Sequence, residues 1–130
     1  CHYPSGRKLF YVKPFLSPNQ WGNDSLHYYG MDQSTKKWAV VDTYGGKLVE
    51  NIVQAIARDC LAVAMQRLEA AGYAIVMHVH DEVILDAPTD RTKTEDLLTY
   101  ACEIMGQPIS WAPGLLLKAN GYVTKFYKKD

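Results

Sequence analysis

The sequence predicts an α+β fold, in which an antiparallel sheet carries two helices packed on it. Short β-branched and aromatic runs occur in pairs around polar turns, which is typical of hairpins and therefore of antiparallel strands. Residues 47–71 and 92–105 carry apolar side chains at helical spacing, which predicts two helices with one apolar stripe each. We expect the two stripes to be buried on one face of the sheet.

Length and composition indicate one globular domain, residues 1–130, with 48% hydrophobic and 22% charged residues. The formal net charge is zero, which counts against a freestanding nucleic-acid-binding protein. Three cysteines, at positions 1, 60 and 102, do not form a disulfide framework, so we expect a reducing, intracellular setting. No apolar run reaches about 18 residues, so no membrane partner is expected. Because the chain opens at Cys1 without a methionine, we interpret it as a piece of a longer protein, the parent.

The first third of the chain is predicted to form strands. Residues 8–14 read as one strand that is ended by its proline, and residues 17–25 as a loop. A hairpin follows, with arms at residues 26–31 and 38–43 and a polar turn at residues 32–37.

Three aromatic residues of this hairpin, Tyr28, Tyr29 and Trp38, permit two interpretations. They could be platforms on which nucleic-acid bases stack. Aromatic residues in hairpins more often pack across strands, and packing is the interpretation we favour.

Residues 47–71 contain neither Pro nor Gly and are predicted to form a long helix, with Gly72 placed to end it. Six apolar residues keep helical spacing along it: Leu48, Ile52, Ile56, Cys60, Val63 and Leu68. A second stripe, of polar residues at i, i+4, i+7 and i+11, consists of Lys47, Asn51, Gln54 and Arg58. Amides on such a face can reach minor-groove acceptors, which differ little between base pairs. A plain solvated face is the other interpretation.

Residues 74–86 are predicted to form a tight β-hairpin with His80, Asp81 and Glu82 at its turn. Asp is expected to take the unusual backbone angles, which it tolerates. Two adjacent acids between strands of a core sheet would repel each other and lose hydration, and a divalent cation would offset that cost. A solvated acidic loop and a zinc site on His78 and His80, which alternate onto one strand face, are the other interpretations.

A second helix is predicted over residues 92–105. Thr92 could cap it, with Glu95 three residues later completing a capping box. Gly106 and Pro108 are placed to stop it.

The end of the chain is predicted to form two more strands, at residues 115–119 and 122–127. Asn120 and Gly121 between them are a common pair in tight hairpin turns, and a bulged single strand is the other interpretation. Residues 128–130 are expected to fray.

Three stretches, in this order, resemble elements of the family A DNA polymerases, the DNA polymerase I family. Residues 5–7 (SGR) resemble a short Gly-Arg element of that family. Residues 45–59 resemble the helix before motif C, most closely in phage-type members, and residues 79–83 (VHDEV) resemble motif C itself. The chain departs from the family at Glu50, where an Asn is common, and has Asn51 one place later.

The resemblance implies that this chain is the C-terminal part of a polymerase palm domain. It implies that Asp81 and Glu82 are catalytic, that Asp81 is a metal ligand, and that Mg²⁺ is the cofactor. It also implies five residues near the DNA: His80, Gln54, Asn51, Arg58 and Arg7. We expect Gln54 to face the same side of the domain as Asp81.

The implied reaction is template-directed nucleotidyl transfer to a primer 3′-hydroxyl by a two-Mg²⁺ mechanism, in DNA replication or repair. The partners would be primer–template DNA, deoxynucleoside triphosphates and the missing N-terminal part of the parent, in the cytoplasm of a bacterial or phage-infected cell. The family's motif A and its fingers helix have no match in this sequence, so we expect the chain to be inactive on its own.

Two other function classes are open at this point. One is a non-catalytic DNA-binding or structural remnant of a polymerase. The other is a metal-dependent hydrolase that uses His78, His80, Asp81 and Glu82.

Overall fold

The computed structural model describes residues 1–128 and every side chain among them except those of Arg91 and Thr92. The predicted α+β class is confirmed, with two helices and two antiparallel sheets. The expectation of one common sheet is wrong, because three strands pair in one sheet and two in another. The chain divides into two compact units, residues 1–56 and the residues from Ala57 onward. That residues 1–130 form one domain stays a prediction. No helix in the described part of the chain has the length and hydropathy of a membrane span.

The first unit contains a three-stranded antiparallel sheet in the order β1-β2-β3. The strands are β1 (Val12–Pro18), β2 (Asp24–Met31) and β3 (Trp38–Thr43). The hairpin of β2 and β3 has the predicted turn. Asp32 organises that turn, since its Oδ1 accepts hydrogen bonds from the backbone N–H groups of Ser34 (2.8 Å) and Thr35 (2.7 Å).

Strand β1 lies four residues later than predicted and continues past Pro14. A proline is tolerated there because β1 is an edge strand and its register shifts between Val12 and Phe15, where Pro14 owes no hydrogen bond to the ladder. Lys13, just before the proline, has φ 45°. The predicted loop shrinks accordingly to the residues around Asn19, whose side chain accepts a hydrogen bond from the backbone N–H of Asn23 (3.1 Å).

Helix α1 spans Gly45–Ala70, beginning in the first unit and ending in the second. Gly72, with φ 88°, ends it as predicted. The Gly72 N–H donates to the Glu69 carbonyl (2.9 Å), and the Tyr73 N–H donates to the Leu68 carbonyl (3.0 Å). This pair of bonds is a Schellman motif, which satisfies the carbonyls that the helix end leaves free.

The second unit packs the end of α1 and helix α2 (Arg91–Met105) on a hairpin of β4 (Ala74–Val79) and β5 (Glu82–Asp86). Its core is formed by buried residues of the two helices, Leu68, Ala101 and Ile104. Partly buried side chains pack against them: Tyr73, Ile75, Val83, Leu85 and Met105. The hydroxyl of Tyr73 also donates to the Leu97 carbonyl of α2 (2.8 Å), which fixes the helix along the hairpin.

Helix α2 starts one residue earlier than predicted, with Asp90 at the N-cap position and no side-chain hydrogen bond from it. The side chain of Thr92, the predicted cap, lies outside the described ones. Thr94 contributes instead, because its hydroxyl donates to the Pro88 carbonyl (2.6 Å) just before the helix.

The predicted C-terminal hairpin is wrong, since no described residue after Met105 belongs to a strand. This stretch packs along α2 without a backbone ladder. A Cβ built on Gly121 would lie 2.6 Å from Leu98 Cδ1, and one on Gly106 would lie 3.3 Å from the Leu117 carbonyl oxygen. The Asn-Gly pair therefore provides close packing on a helix rather than a strand turn. Residues 129 and 130 of the predicted frayed tail lie outside the described part.

Candidate active site

The tip of the β4–β5 hairpin is a two-residue turn formed by His80 and Asp81, since Val79 pairs directly with Glu82. Glu82 is the first residue of β5, so its predicted place in the turn is wrong. The unusual backbone angle belongs to His80, with φ 53°, and not to Asp81 as expected. A positive φ at the first central residue is the requirement of tight hairpin turns whose twist matches the strands, and His tolerates it better than most residues.

A bulge in β4 decides which side chains share a face. The register shifts between Ile75 and Met77, which makes Val76 the additional residue. Past the bulge His78 pairs with Val83, so His78 lies on the face that carries the core residue Val83. His80 lies in the turn and belongs to neither strand face, so the predicted pairing of His78 with His80 on one face is wrong.

The charged groups of the tip are exposed to solvent, and this applies to His80, Asp81 and Glu82 alike. Neither carboxylate has a hydrogen bond or an ion pair with a side chain or backbone group in residues 1–128. Asp81 and Glu82 therefore keep their hydration, and the desolvation cost that a divalent cation was expected to offset is absent. Both carboxylates are instead open to an external ligand.

The donor set at the tip suits Mg²⁺ in one specific way. Among the described residues no group of three or more His, Cys, Asp or Glu side chains could hold a metal. Asp81 and Glu82 nevertheless present two adjacent carboxylates, and Mg²⁺ commonly binds through one or two carboxylates with water and substrate phosphates as its other ligands. The tip could thus supply part of a magnesium site but not a complete one.

The polar stripe at the start of α1 is organised by Glu50. One carboxylate oxygen of Glu50 accepts from Lys47 Nζ (2.9 Å), and the other accepts from Gln54 Nε2 (3.2 Å). The bond with Glu50 raises the pKa of Lys47. In the sequence, Glu50 is visible only as a departure from the family pattern. Its position three residues after Lys47 and four before Gln54 is the signal that could have revealed this bridge.

Asn51 is tied to the packing of the first unit. Its Nδ2 donates to the Tyr11 hydroxyl (3.3 Å), and the Tyr11 ring lies edge-on to Tyr28 with centroids 4.9 Å apart. Tyr28 therefore packs, as the favoured interpretation of the aromatics expected. The contacts of Tyr11 with Asn51 and Tyr28 were not predicted. The sequence predicts Tyr11 inside a strand, whereas β1 begins only at Val12.

The two arginines proposed to lie near DNA differ in their surroundings. Arg7 Nη2 donates to the Ala55 carbonyl (3.1 Å), and its guanidinium lies 5.3 Å from the centre of the Tyr3 ring. The side chain of Arg58 is exposed and has no hydrogen bond or ion pair within residues 1–128. Gln54 and Asp81 belong to different units, and their placement on one side stays a prediction.

Comparison with known proteins gives one close similarity. The chain is 54% identical over 128 residues to the DNA polymerase of Bacillus phage SP02. The match covers 98% of this chain and 19% of that polymerase, so the chain spans about a fifth of the length of its relative. No family model and no solved structure matches the chain. The chain is thus similar, along almost all its length, to one part of a much longer enzyme.

Proposed function

We propose that this chain is part of a DNA polymerase, namely the C-terminal portion of the palm domain of a family A enzyme, with motif C at residues 79–83. The observation that carries the proposal is the 54% identity with a phage DNA polymerase along 98% of the chain. The exposed acidic tip of the β4–β5 hairpin supports it, because Asp81 and Glu82 present two solvent-exposed carboxylates there that are open to a metal ion.

In this proposal Asp81 is the metal ligand and catalytic carboxylate of the chain. Mg²⁺ bound there would stabilise the negative charge that develops on the phosphate oxygens during nucleotidyl transfer. Glu82, which follows Asp81 as the first residue of β5, adds a second negative charge to the local electrostatic field. His80 positions the primer terminus from the same turn. The positive φ of His80 directs the chain so that Asp81 follows at the tip.

The proposed DNA contacts come from α1 and from the segment before β1. Gln54 reaches the minor groove and exchanges its bond with Glu50 for acceptors on the bases. Arg58 contacts phosphate, for which its exposed guanidinium is suited. Arg7 and Asn51 act next to the DNA largely by positioning, since each is bonded to a neighbour in the first unit.

The working enzyme in this proposal is the parent, in the cytoplasm of a bacterial or phage-infected cell, with primer–template DNA and deoxynucleoside triphosphates as partners. The chain alone is inactive because the family's motif A and its fingers helix, which binds the incoming nucleotide, lie elsewhere in the parent. Without them no second carboxylate site and no aligned triphosphate are available.

The proposal is tested by primer extension with the intact parent and with the 130-residue chain, at equal concentration and in the presence of Mg²⁺. We expect extension by the parent only. Extension by the chain alone would contradict its incompleteness. Binding of primer–template without extension by the parent would favour the non-catalytic remnant.

The hydrolase alternative is weakened by the position of His80, which lies in the turn and not beside His78 on a strand face. It would gain support if the parent cleaved substrates but did not extend primers.

A further inference from the structure

One face of the three-stranded sheet is apolar and open, and we call it the outward face. The register aligns Val12 with Tyr29, Tyr29 with Val40, and Met31 with Trp38. Directly paired residues share a face, and so do residues two apart, which places these side chains together. Phe15 belongs with them, since its ring lies 6.1 Å from that of Tyr29. These six apolar side chains of the outward face are all exposed, with Trp38 at 60% and Met31 at 52%.

The opposite face of the same sheet is covered along β2 and β3, whereas Leu16 of β1, which pairs with Leu26 on that face, is exposed. Tyr28 lies there against Tyr11, and Thr43, which pairs with Leu26, is buried. Because β2 and β3 carry large apolar residues on both faces and only one of those faces is covered, the sheet resembles a layer of a larger core whose second side is missing. Contiguous apolar patches of this kind are uncommon on free surfaces and mark sites of protein contact.

The charges of the outward face favour a protein occupant over a nucleic acid. The strand register places His27 and Asp42 on this face, with His27 Nε2 3.8 Å from Asp42 Oδ1. Ser25 Oγ also donates to Asp42 Oδ1 (2.5 Å), so the carboxylate is already bonded. The register places no Lys or Arg among the paired residues of this face, while nucleic-acid affinity depends on cations that contact phosphates.

The core of the chain is small for its length. Among the described side chains, Leu68 alone combines large size with complete burial. A chain of 130 residues ordinarily buries a more extensive core. The relative with 54% identity has about four fifths of its length outside the matched part. Apolar surface left open here therefore has a large amount of parent chain available to cover it.

We propose that another part of the parent polymerase chain packs on the outward face and completes a core there. This inference rests on the proposed function, because it takes the longer protein to be the polymerase. It assigns the three-stranded sheet to holding the chain in its parent, in contrast to the hairpin tip, which serves the chemistry.

Hydroxyl-radical footprinting of the intact, DNA-free parent tests the proposal, with the same protein unfolded in urea as the reference. We expect Trp38 and Met31 to be oxidised severalfold more slowly in the folded parent than in the unfolded parent. This slowing should exceed the one that their partial exposure in the isolated chain would cause. Oxidation close to the unfolded rate would overturn the proposal. Protection that appears only on adding primer–template would also overturn it, in favour of DNA. Protection that depends on protein concentration would overturn it in favour of a second copy.

A substitution provides a second measurement. Val40→Lys places a charge in the proposed contact and should lower the Tm of the parent, whereas Val40→Ile keeps the face apolar and should leave it nearly unchanged. An unchanged Tm for Val40→Lys would contradict the proposal. Primer extension on the same preparation separates the two claims. If Trp38 is protected in a parent that does not extend primers, the contact on the outward face is supported and the polymerase function is rejected. If the parent extends primers but Trp38 is not protected, the polymerase function is supported and the contact is rejected.

Discussion

Asn51 and Gln54 carry the same amide group on the same helix, yet the structure gives them different tasks. Asn51 is half-buried and donates to Tyr11, whereas Gln54 is exposed and donates to Glu50. The sequence could indicate that both amides belong to one polar stripe, because helical spacing decides that. It could not show which amide is used internally, since Tyr11 lies forty positions away.

Replacement of the two amides should therefore change the stability of the chain by different amounts. Asn51→Ala should lower the free energy of unfolding of the chain by about 1 kcal/mol, the usual net value of one hydrogen bond. Gln54→Ala should change it by less than about 0.5 kcal/mol, as is common for exposed positions. Urea unfolding followed by circular dichroism measures both. Equal losses for the two variants would contradict the distinction.

Among the elements, those defined by local patterns were predicted well. The β2–β3 hairpin, both helices and the β4–β5 hairpin stand where turn residues and apolar spacing place them. Strand β1 and the C-terminal stretch were predicted poorly, because their strand-like composition is overridden by tertiary packing. An edge position admits Pro14 into β1, and contact with α2 replaces the ladder expected around Gly121.

The turn between β2 and β3 should make the stability of the chain depend on pH in the acid range. Hydrogen bonds from the backbone N–H groups of Thr35 and Ser34 hold the pKa of Asp32 below its ordinary value of 3.8. A carboxyl whose pKa is lower in the folded state stabilises it above the unfolded pKa, and this contribution is lost as the pH falls through the folded value. Asp32→Ala should thus be less stable than the unmodified chain at pH 7 and differ little from it at the lowest pH.

The measurement is thermal unfolding from pH 7 down to pH 2 for the chain and for Asp32→Ala. Asp96→Ala removes an exposed carboxylate of α2 that has no hydrogen bond among the described residues, and serves as the control. A difference between Asp32→Ala and the unmodified chain that stays constant across this range would exclude the proposed role of the turn.

At the scale of the whole molecule, the chain divides its charges unevenly between its two units. Residues 1–56 contain six Lys and Arg and four Asp and Glu, and residues 57–130 contain eight and ten, so the net charges are +2 and −2. The zero total charge of the sequence is therefore the sum of a basic unit, which contains three of the four residues of the polar stripe, and an acidic unit, which contains Arg58 and the hairpin tip. The position of Asp81 at a turn was predictable from local pattern. Its exposure agrees with the solvated acidic loop that was one interpretation of the sequence. The sequence alone could not decide between that loop and a turn within a core sheet, because exposure depends on what the rest of the protein covers.

In the proposed polymerase, Asp81 is a catalytic carboxylate of the parent. The most direct test is the single-turnover rate of primer extension by the parent carrying Asp81→Asn, with Asp86→Asn as the matched control at the other end of the hairpin. Both changes remove one charge from an exposed aspartate of the same element. The rate should fall at least about 10²-fold for Asp81→Asn, as for the loss of one preorganised electrostatic group. It should stay near that of the unmodified parent for Asp86→Asn. DNA affinity should change little in either variant, since phosphate contacts elsewhere dominate it. Extension by Asp81→Asn at close to the normal rate would exclude Asp81 as a catalytic carboxylate.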